Sequence, residues 1–159
     1  MKRYLLILIF FIFSQVKADV TIKSCDGEYN ARIVRQGTML VERGNSIIAS
    51  MKIDHDISGG SFSLDHSLLV VYGLPNKIDI RYPQTIHLSL YSINAQSHTV
   101  LMNEVYGGGV YGTSFSTDQH FISVDTQSGI DVLNLKTKTN KLYDPSHVLD
   151  FPTQHCSES

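Results

Sequence analysis

Short apolar segments alternate with polar turns along almost the whole chain, and no stretch beyond the N-terminal segment carries a helical period. The segments are rich in Ile, Val, Leu, Tyr and Thr, and Gly, Asn, Asp and Ser separate them. This pattern predicts short antiparallel strands. Residues 19–22 predict a first strand, residues 31–35 and 38–42 alternate around a Gln-Gly hairpin turn, and residues 46–53 predict the next strand.

One phrase occurs twice in the chain. Ser61-Phe62-Ser63-Leu64-Asp65 and Ser114-Phe115-Ser116-Thr117-Asp118 are each followed by an apolar run, and a second shared phrase begins at Leu88 and at Ile130. We expect each Ser-Phe-Ser phrase to open a strand and the Asp after it to lie in a turn, where its side chain can bond backbone amides. Each copy has the strand, turn, strand, turn, strand order of a propeller blade.

The repeats predict the fold class. Blade-like repeats lie at about 58–106 and 112–143, and the strands predicted between residues 19 and 53 are candidates for a degenerate first blade. A closed propeller has at least four blades. Residues 19–159 therefore predict a single all-β domain, an open propeller-like arrangement of two to three small antiparallel sheets. A β-sandwich is the alternative.

The N-terminal segment has the features of a secretory signal peptide. Lys2 and Arg3 precede an apolar run at 4–13, and Ala18 ends a small-residue cleavage site. A bilayer span needs about 20 apolar residues, so this run is too short for a membrane anchor. We expect export to the periplasm with cleavage after Ala18.

Cys25 and Cys156 are the two cysteines of the chain. An even pair in an exported protein predicts a disulfide, which here would tie the two ends of the mature chain together. A free thiol or a metal ligand is the alternative, although neither cysteine has a CxxC neighbour.

Charge and motifs exclude several classes of function. Three of the 13 Lys and Arg residues lie in the signal segment, so the remaining Lys and Arg are outnumbered by the 15 Asp and Glu. No basic patch therefore suits nucleic acid or an anionic membrane. The chain has no Gly-x-Ser-x-Gly elbow, HExxH, Walker loop or dinucleotide fingerprint. Asp54-His55-Asp56 has metal-ligand chemistry, but adjacent side chains on a strand point to opposite faces, so the three could face one ion only in a turn. We predict a protein without catalytic residues, cofactor or metal.

The first blade-like repeat contains an insertion, residues 73–85, that the second repeat lacks. Its prolines stiffen it, and Arg and Tyr are residue types that anchor interfaces. A neutral surface insertion is the alternative. Residues 106–113 place two tyrosines on a glycine hinge, which suits recognition or a packed linker. The predicted partner-binding residues are Asn76, Lys77, Asp79, Arg81, Tyr82, Gln84, Tyr106 and Tyr111.

Two segments carry a resemblance to a known family. They are Gly59-Gly60-Ser61-Phe62-Ser63-Leu64-Asp65 with its following strand, and Leu88-Ser89-Leu90-Tyr91-Ser92-Ile93 through Thr99-Val100-Leu101. This region resembles the immunity proteins that bacteria export against type VI secretion amidase effectors.

The resemblance implies a periplasmic inhibitor that pushes a loop between blade strands into the active site of a peptidoglycan-cleaving amidase. The corresponding position here is the insertion at 73–85, and no single contact residue can be carried over. The implied partner is a cognate secreted amidase toxin, with no nucleic acid and no membrane involved after signal cleavage. The alternative function is a periplasmic β-repeat scaffold or an envelope-assembly binding module.

Overall fold

The computed structural model describes residues 20–35, 37–93 and 98–156. The predicted signal peptide with its cleavage site at Ala18, and Gln36 of the first hairpin, lie outside these residues. Twelve strands occur in the described part. They are β1 (Thr21–Lys23), β2 (Tyr29–Arg35), β3 (Thr38–Arg43), β4 (Ser46–Lys52), β5 (Gly59–Phe62), β6 (Leu68–Gly73), β7 (Ile86–Ile93), β8 (His98–Tyr106), β9 (Val110–Phe115), β10 (Phe121–Thr126), β11 (Gly129–Asn134) and β12 (Thr139–Tyr143).

The strands form three antiparallel sheets of four, each a meander in chain order. We call them blade I (β1–β4), blade II (β5–β8) and blade III (β9–β12). The first strands lie side by side, with β5 in contact with both β1 and β9. Ser61 on β5 and Thr113 on β9 join their hydroxyls at 3.0 Å. The predicted all-β, open propeller-like fold is confirmed, and the sandwich alternative is not adopted.

Blade II is buried on both faces, which explains its continuous apolar strand. Leu69 and Val71 pack in a cluster with the blade I side chains, whereas Val70 and Tyr72 pack with those of blade III. Alternate residues of β6 therefore serve two different cores. This double burial accounts for a run of consecutive apolar residues at 68–71 where a one-sided strand would alternate with polar residues.

The outward faces of blades I and III are covered in different ways. Blade I carries the Arg32–Glu42 ion pair at 2.8 Å between two neighbouring strands. The segment after β12 crosses the outer face of blade III, where Phe151 stacks on Phe121 with 4.9 Å between ring centroids. His147 stacks on Tyr143 at 4.2 Å in the same segment.

The turn after the first strand has the same hydrogen bonds in all three blades. Ser63 Oγ donates to Asp65 Oδ1 at 2.6 Å, and the Leu68 amide donates to Ser63 Oγ at 2.9 Å. Equivalent bonds are made by Ser24 and Asp26 in blade I and by Ser116 and Asp118 in blade III. The Ser-Phe-Ser prediction was wrong in one respect, because the phrase closes a strand and its last serine holds the turn.

The C-terminal tail contacts all three turns and so links them. Every second residue of the tail, at 152, 154 and 156, contacts one turn, at the residue that follows its serine. The Thr117 amide donates to Pro152 O at 2.9 Å, the Leu64 amide donates to Gln154 Oε1 at 3.0 Å, and Cys25 forms a disulfide with Cys156. The predicted disulfide is confirmed. Such a bond indicates a compartment outside the reducing cytoplasm.

The molecule therefore has two distinct ends. The turn end carries the three Ser-x-Asp turns, the tail and the disulfide. The loop end carries the connections 53–58, 74–85 and 107–109, which join strands at the ends opposite these turns. Within the described ranges, the structure contains no helix of the length and hydropathy that crossing a membrane requires.

Candidate binding surface

The base of the insertion is held firmly to the connection between blades I and II. The Asn76 amide donates to Asp54 O at 2.8 Å, and the Asp56 amide donates to Leu74 O at 2.8 Å. Asn76 also donates from Nδ2 to Ile53 O at 3.1 Å. Asn76, predicted to contact a partner, thus anchors the loop to the body.

The tip of the insertion, residues 77–84, is ordered by its own short-range bonds. Arg81 donates from Nη2 to Asp79 Oδ2 at 2.7 Å and from its amide to Asp79 Oδ1 at 2.9 Å. These hydrogen bonds lower the pKa of Asp79. The Arg81 guanidinium lies 5.9 Å from the centroid of the Tyr82 ring, and Thr85 Oγ1 donates to Tyr82 O at 2.8 Å.

Apolar side chains project from this tip. Ile80 is 90% exposed and Tyr82 is 67% exposed, and Ile78 is exposed beside them. Lys77 and Gln84 are exposed as well. Sequence reasoning missed Ile78 and Ile80 because it looked for Arg, Tyr and polar anchors. The alternation of Ile78, Ile80 and Tyr82 with charged residues is the signal that could have found them.

Tyr106 and Tyr111, the two tyrosines predicted to bind a partner from outside the insertion, lie at the same end of the molecule but in different surroundings. Tyr106 pairs with Ile86, the residue at which β7 begins after the insertion. Its hydroxyl donates to Asp131 Oδ2 at 3.0 Å, and burial together with the nearby Asp131 raises the pKa of Tyr106. Tyr106 is therefore half-buried in a cleft, whereas Tyr111 at the start of β9 is exposed.

The Asp54-His55-Asp56 cluster lies beneath the base of the insertion. His55 is fully buried, and its Nδ1 lies 2.7 Å from Asp56 O. A carbonyl only accepts, so Nδ1 carries the proton and Nε2 accepts from the Ser89 hydroxyl at 3.0 Å. Burial lowers the pKa of His55, which keeps the ring neutral. Asp54 pairs separately with His87 at 3.0 Å.

Through these contacts, His55 links the connection between blades I and II to β7. Ser89 is buried too, so the serine and histidine pair lies below the surface. Across the part of the chain that the structure describes, no three His, Cys, Asp or Glu side chains form a group suited to a metal ion.

The comparisons with known proteins concern the fold alone. No protein-family profile and no curated protein matches this chain. The β-propeller domain of Cps50 (Swd1) from Myceliophteria thermophila is 8% identical, with a TM-score of 0.52 over 77% of this chain. A candidate 6-phosphogluconolactonase from Bacteroides uniformis is 13% identical, with a TM-score of 0.54 over 82% of this chain. The chain spans 40% of the length of each.

Proposed function

We propose that this chain is a periplasmic immunity protein that inhibits a secreted peptidoglycan-cleaving amidase by inserting the tip of its 73–85 loop into the enzyme's active-site cleft. The observation that carries the proposal is Ile80, an isoleucine left 90% exposed at the tip of a loop whose base is fixed. In this proposal the chain acts by binding and not by catalysis.

An exposed isoleucine on an ordered loop suits insertion into a pocket. Burying such a side chain contributes about 1.5–3 kcal/mol. Because the Asp79–Arg81 pair already orders the tip, this loop loses less conformational entropy on association than a flexible loop would. Tyr82 adds an aromatic surface of the kind that dominates binding energy at interfaces.

The rest of the molecule supports a binding role by its rigidity. The disulfide and the tail hold the turn end, so the loop end is presented from a body that keeps its shape. A loop that projects from a rigid scaffold is a common arrangement for recognition. The disulfide also agrees with export to an oxidising compartment such as the periplasm.

The first experiment is co-expression in the periplasm with the product of the adjacent reading frame, followed by co-purification and calorimetry on the mature chain. We expect a one-to-one complex tighter than micromolar, loss of the enzyme's activity, and rescue of cells from lysis. No complex and no rescue, with weak binding to several envelope proteins instead, would favour the scaffold alternative.

The matched variant is Ile80→Ser combined with Tyr82→Ser. Each side chain is expected to act as a binding anchor, so the double variant should weaken the complex on the order of 100-fold while the melting temperature stays unchanged. Ile47→Ser combined with Val148→Ser is the control, because Ile47 and Val148 are 61% and 82% exposed outside the loop. Equal affinities for both double variants would remove the loop as the anchor.

A further inference from the structure

A cleft of about 240 Å³ lies at the loop end between blades II and III. Glu104 and Tyr106 of β8 line one side of it, and Asp131 of β11 and Asn140 of β12 line the other. The β8–β9 connection Gly107-Gly108-Gly109 forms part of its rim. An added Cβ at Gly107 would meet no atom within 4 Å, so the rim is open there.

Asp131 is the unusual group in this cleft. The residue is only 3% exposed, and its Oδ2 accepts hydrogen bonds from the Tyr106 hydroxyl at 3.0 Å and from Asn140 Nδ2 at 3.1 Å. Its Oδ1 is buried with no hydrogen-bond partner among the described residues. A buried carboxylate oxygen without a donor is costly, and native structures contain few of them.

A second carboxyl group faces the same space. Glu104 lies on β8 between Met102, which packs toward blade III, and Tyr106, which reaches Asp131. Both residues line the cleft, and burial together with the negative charge of Asp131 raises the pKa of Glu104. The lining residues that the structure describes include no Lys, Arg or His to balance them.

We infer that this cleft binds an organic cation that donates hydrogen bonds, a guanidinium or primary ammonium group, held by the carboxyl groups of Asp131 and Glu104. Charge-assisted hydrogen bonds to a carboxylate are the strong ones, and Asp131 already has its Oδ2 fixed by two neutral donors. The volume suits the end of an arginine or lysine side chain or a small amine. No residue of the 73–85 loop lines the cleft, so binding of a cation there is separate from the proposed inhibition.

The test uses three probes of similar shape on the mature chain. Butylguanidinium and butylammonium carry the proposed cation, and butylurea is a neutral analogue of the first. Binding is followed by amide chemical shifts of residues around the cleft and by calorimetry. We expect saturable binding of at least one cation, at least tenfold tighter than that of butylurea. Equal binding of butylurea, or no saturable binding of either cation, would overturn the inference.

Variants assign the binding to the carboxylates. Asp131→Asn should lower the affinity for the cation at least tenfold, and Glu104→Gln should lower it severalfold. Asp125→Asn is the control, because Asp125 is exposed on the same sheet and does not line the cleft. If Asp131→Asn fails to fold, Glu104→Gln and the butylurea comparison decide. Unchanged affinity in Glu104→Gln together with equal butylurea binding would contradict the site.

The source of the cation is distinguished by a capped Gly-Arg-Gly peptide. Tighter binding of this peptide than of butylguanidinium would support an arginine from a protein partner. Equal affinity would support a small organic cation. Neither result depends on the amidase, so the cleft can be tested even if the proposed immunity function fails.

Discussion

At the scale of single residues, the three Ser-x-Asp turns differ at one position. The residue after the Asp adopts a left-handed backbone in each, with φ of 73° at Gly27, 61° at His66 and 59° at Gln119. Glycine adopts this region without steric cost, whereas other residues pay for the crowding of Cβ. Blade I thus has the residue that the turn prefers, and blades II and III carry strain.

This difference predicts a stabilising substitution. Gln119→Gly should raise the free energy of unfolding by about 0.5–1 kcal/mol, because relief of the strained backbone outweighs the added freedom of the unfolded chain. The Gln119 side chain makes a 3.5 Å contact with Ser67 Oγ, which is long for a hydrogen bond, and a further hydrogen bond that lowers the pKa of Asp65. The substitution loses both contacts, so we expect the gain to lie at the lower end of this range. Urea unfolding measures the change.

The neighbouring position provides the control for that substitution. His120 is not among the residues with positive φ, so His120→Gly relieves no strain and should lower stability, through backbone entropy and through loss of the 3.1 Å contact between its ring and Asp118. A Gln119→Gly variant that is no more stable than the parent chain would contradict the strain.

At the scale of elements, the tail crosses the turn end and connects the three blades. Its contacts alternate along the chain, and each fixes one blade at the same position of its turn. The disulfide joins residues separated by 131 positions in the sequence. Constraint of so long a loop in the unfolded state gives a stabilisation of up to about 5 kcal/mol in the chain-entropy model.

We predict that Cys25→Ser combined with Cys156→Ser lowers the free energy of unfolding by about 2–5 kcal/mol. Native-state hydrogen exchange should show faster exchange at the Leu64 and Thr117 amides, because both donate to the tail. Gln154→Ala is the matched change, since it removes one hydrogen bond and should cost only about 0.5–1.5 kcal/mol. Unchanged exchange at both amides after loss of the disulfide would show that the tail holds without it.

The elements also show what could be predicted from the sequence. Alternation and the repeated phrase predicted blades II and III, because each phrase is long enough to recognise. The turn at Ser24-Cys25-Asp26-Gly27 was missed, because its first strand has three residues and Lys23 stands where the other copies have Phe. What remains in common, Ser-x-Asp, is too short to detect without the hydrogen bonds.

The surface was harder to predict than the fold, for a physical reason. Residue type predicted a binding role for Asn76 and Tyr106, but their hydrogen bonds reach residues distant in the sequence. Asn76 is tied to Ile53 and Tyr106 to Asp131, and no local pattern reports such pairings. Ile80 shows the reverse case, because an isoleucine in a sequence suggests a core and only the structure shows it exposed.

At the scale of the whole molecule, the two ends have separate roles. The turn end is closed by a covalent bond and three equivalent turns, and the two cores on either side of blade II hold the sheets together. The loop end carries the exposed tip, Tyr111 and the acidic cleft. Binding at the loop end would leave the elements that stabilise the fold untouched.

Hydrogen exchange on the complex with the co-purified partner shows directly which end of the molecule is the binding surface. We predict new protection in residues 77–84 and little change at the Ser-x-Asp turns around Asp26, Asp65 and Asp118. Protection centred on those turns, or none within the loop, would contradict binding through the loop end.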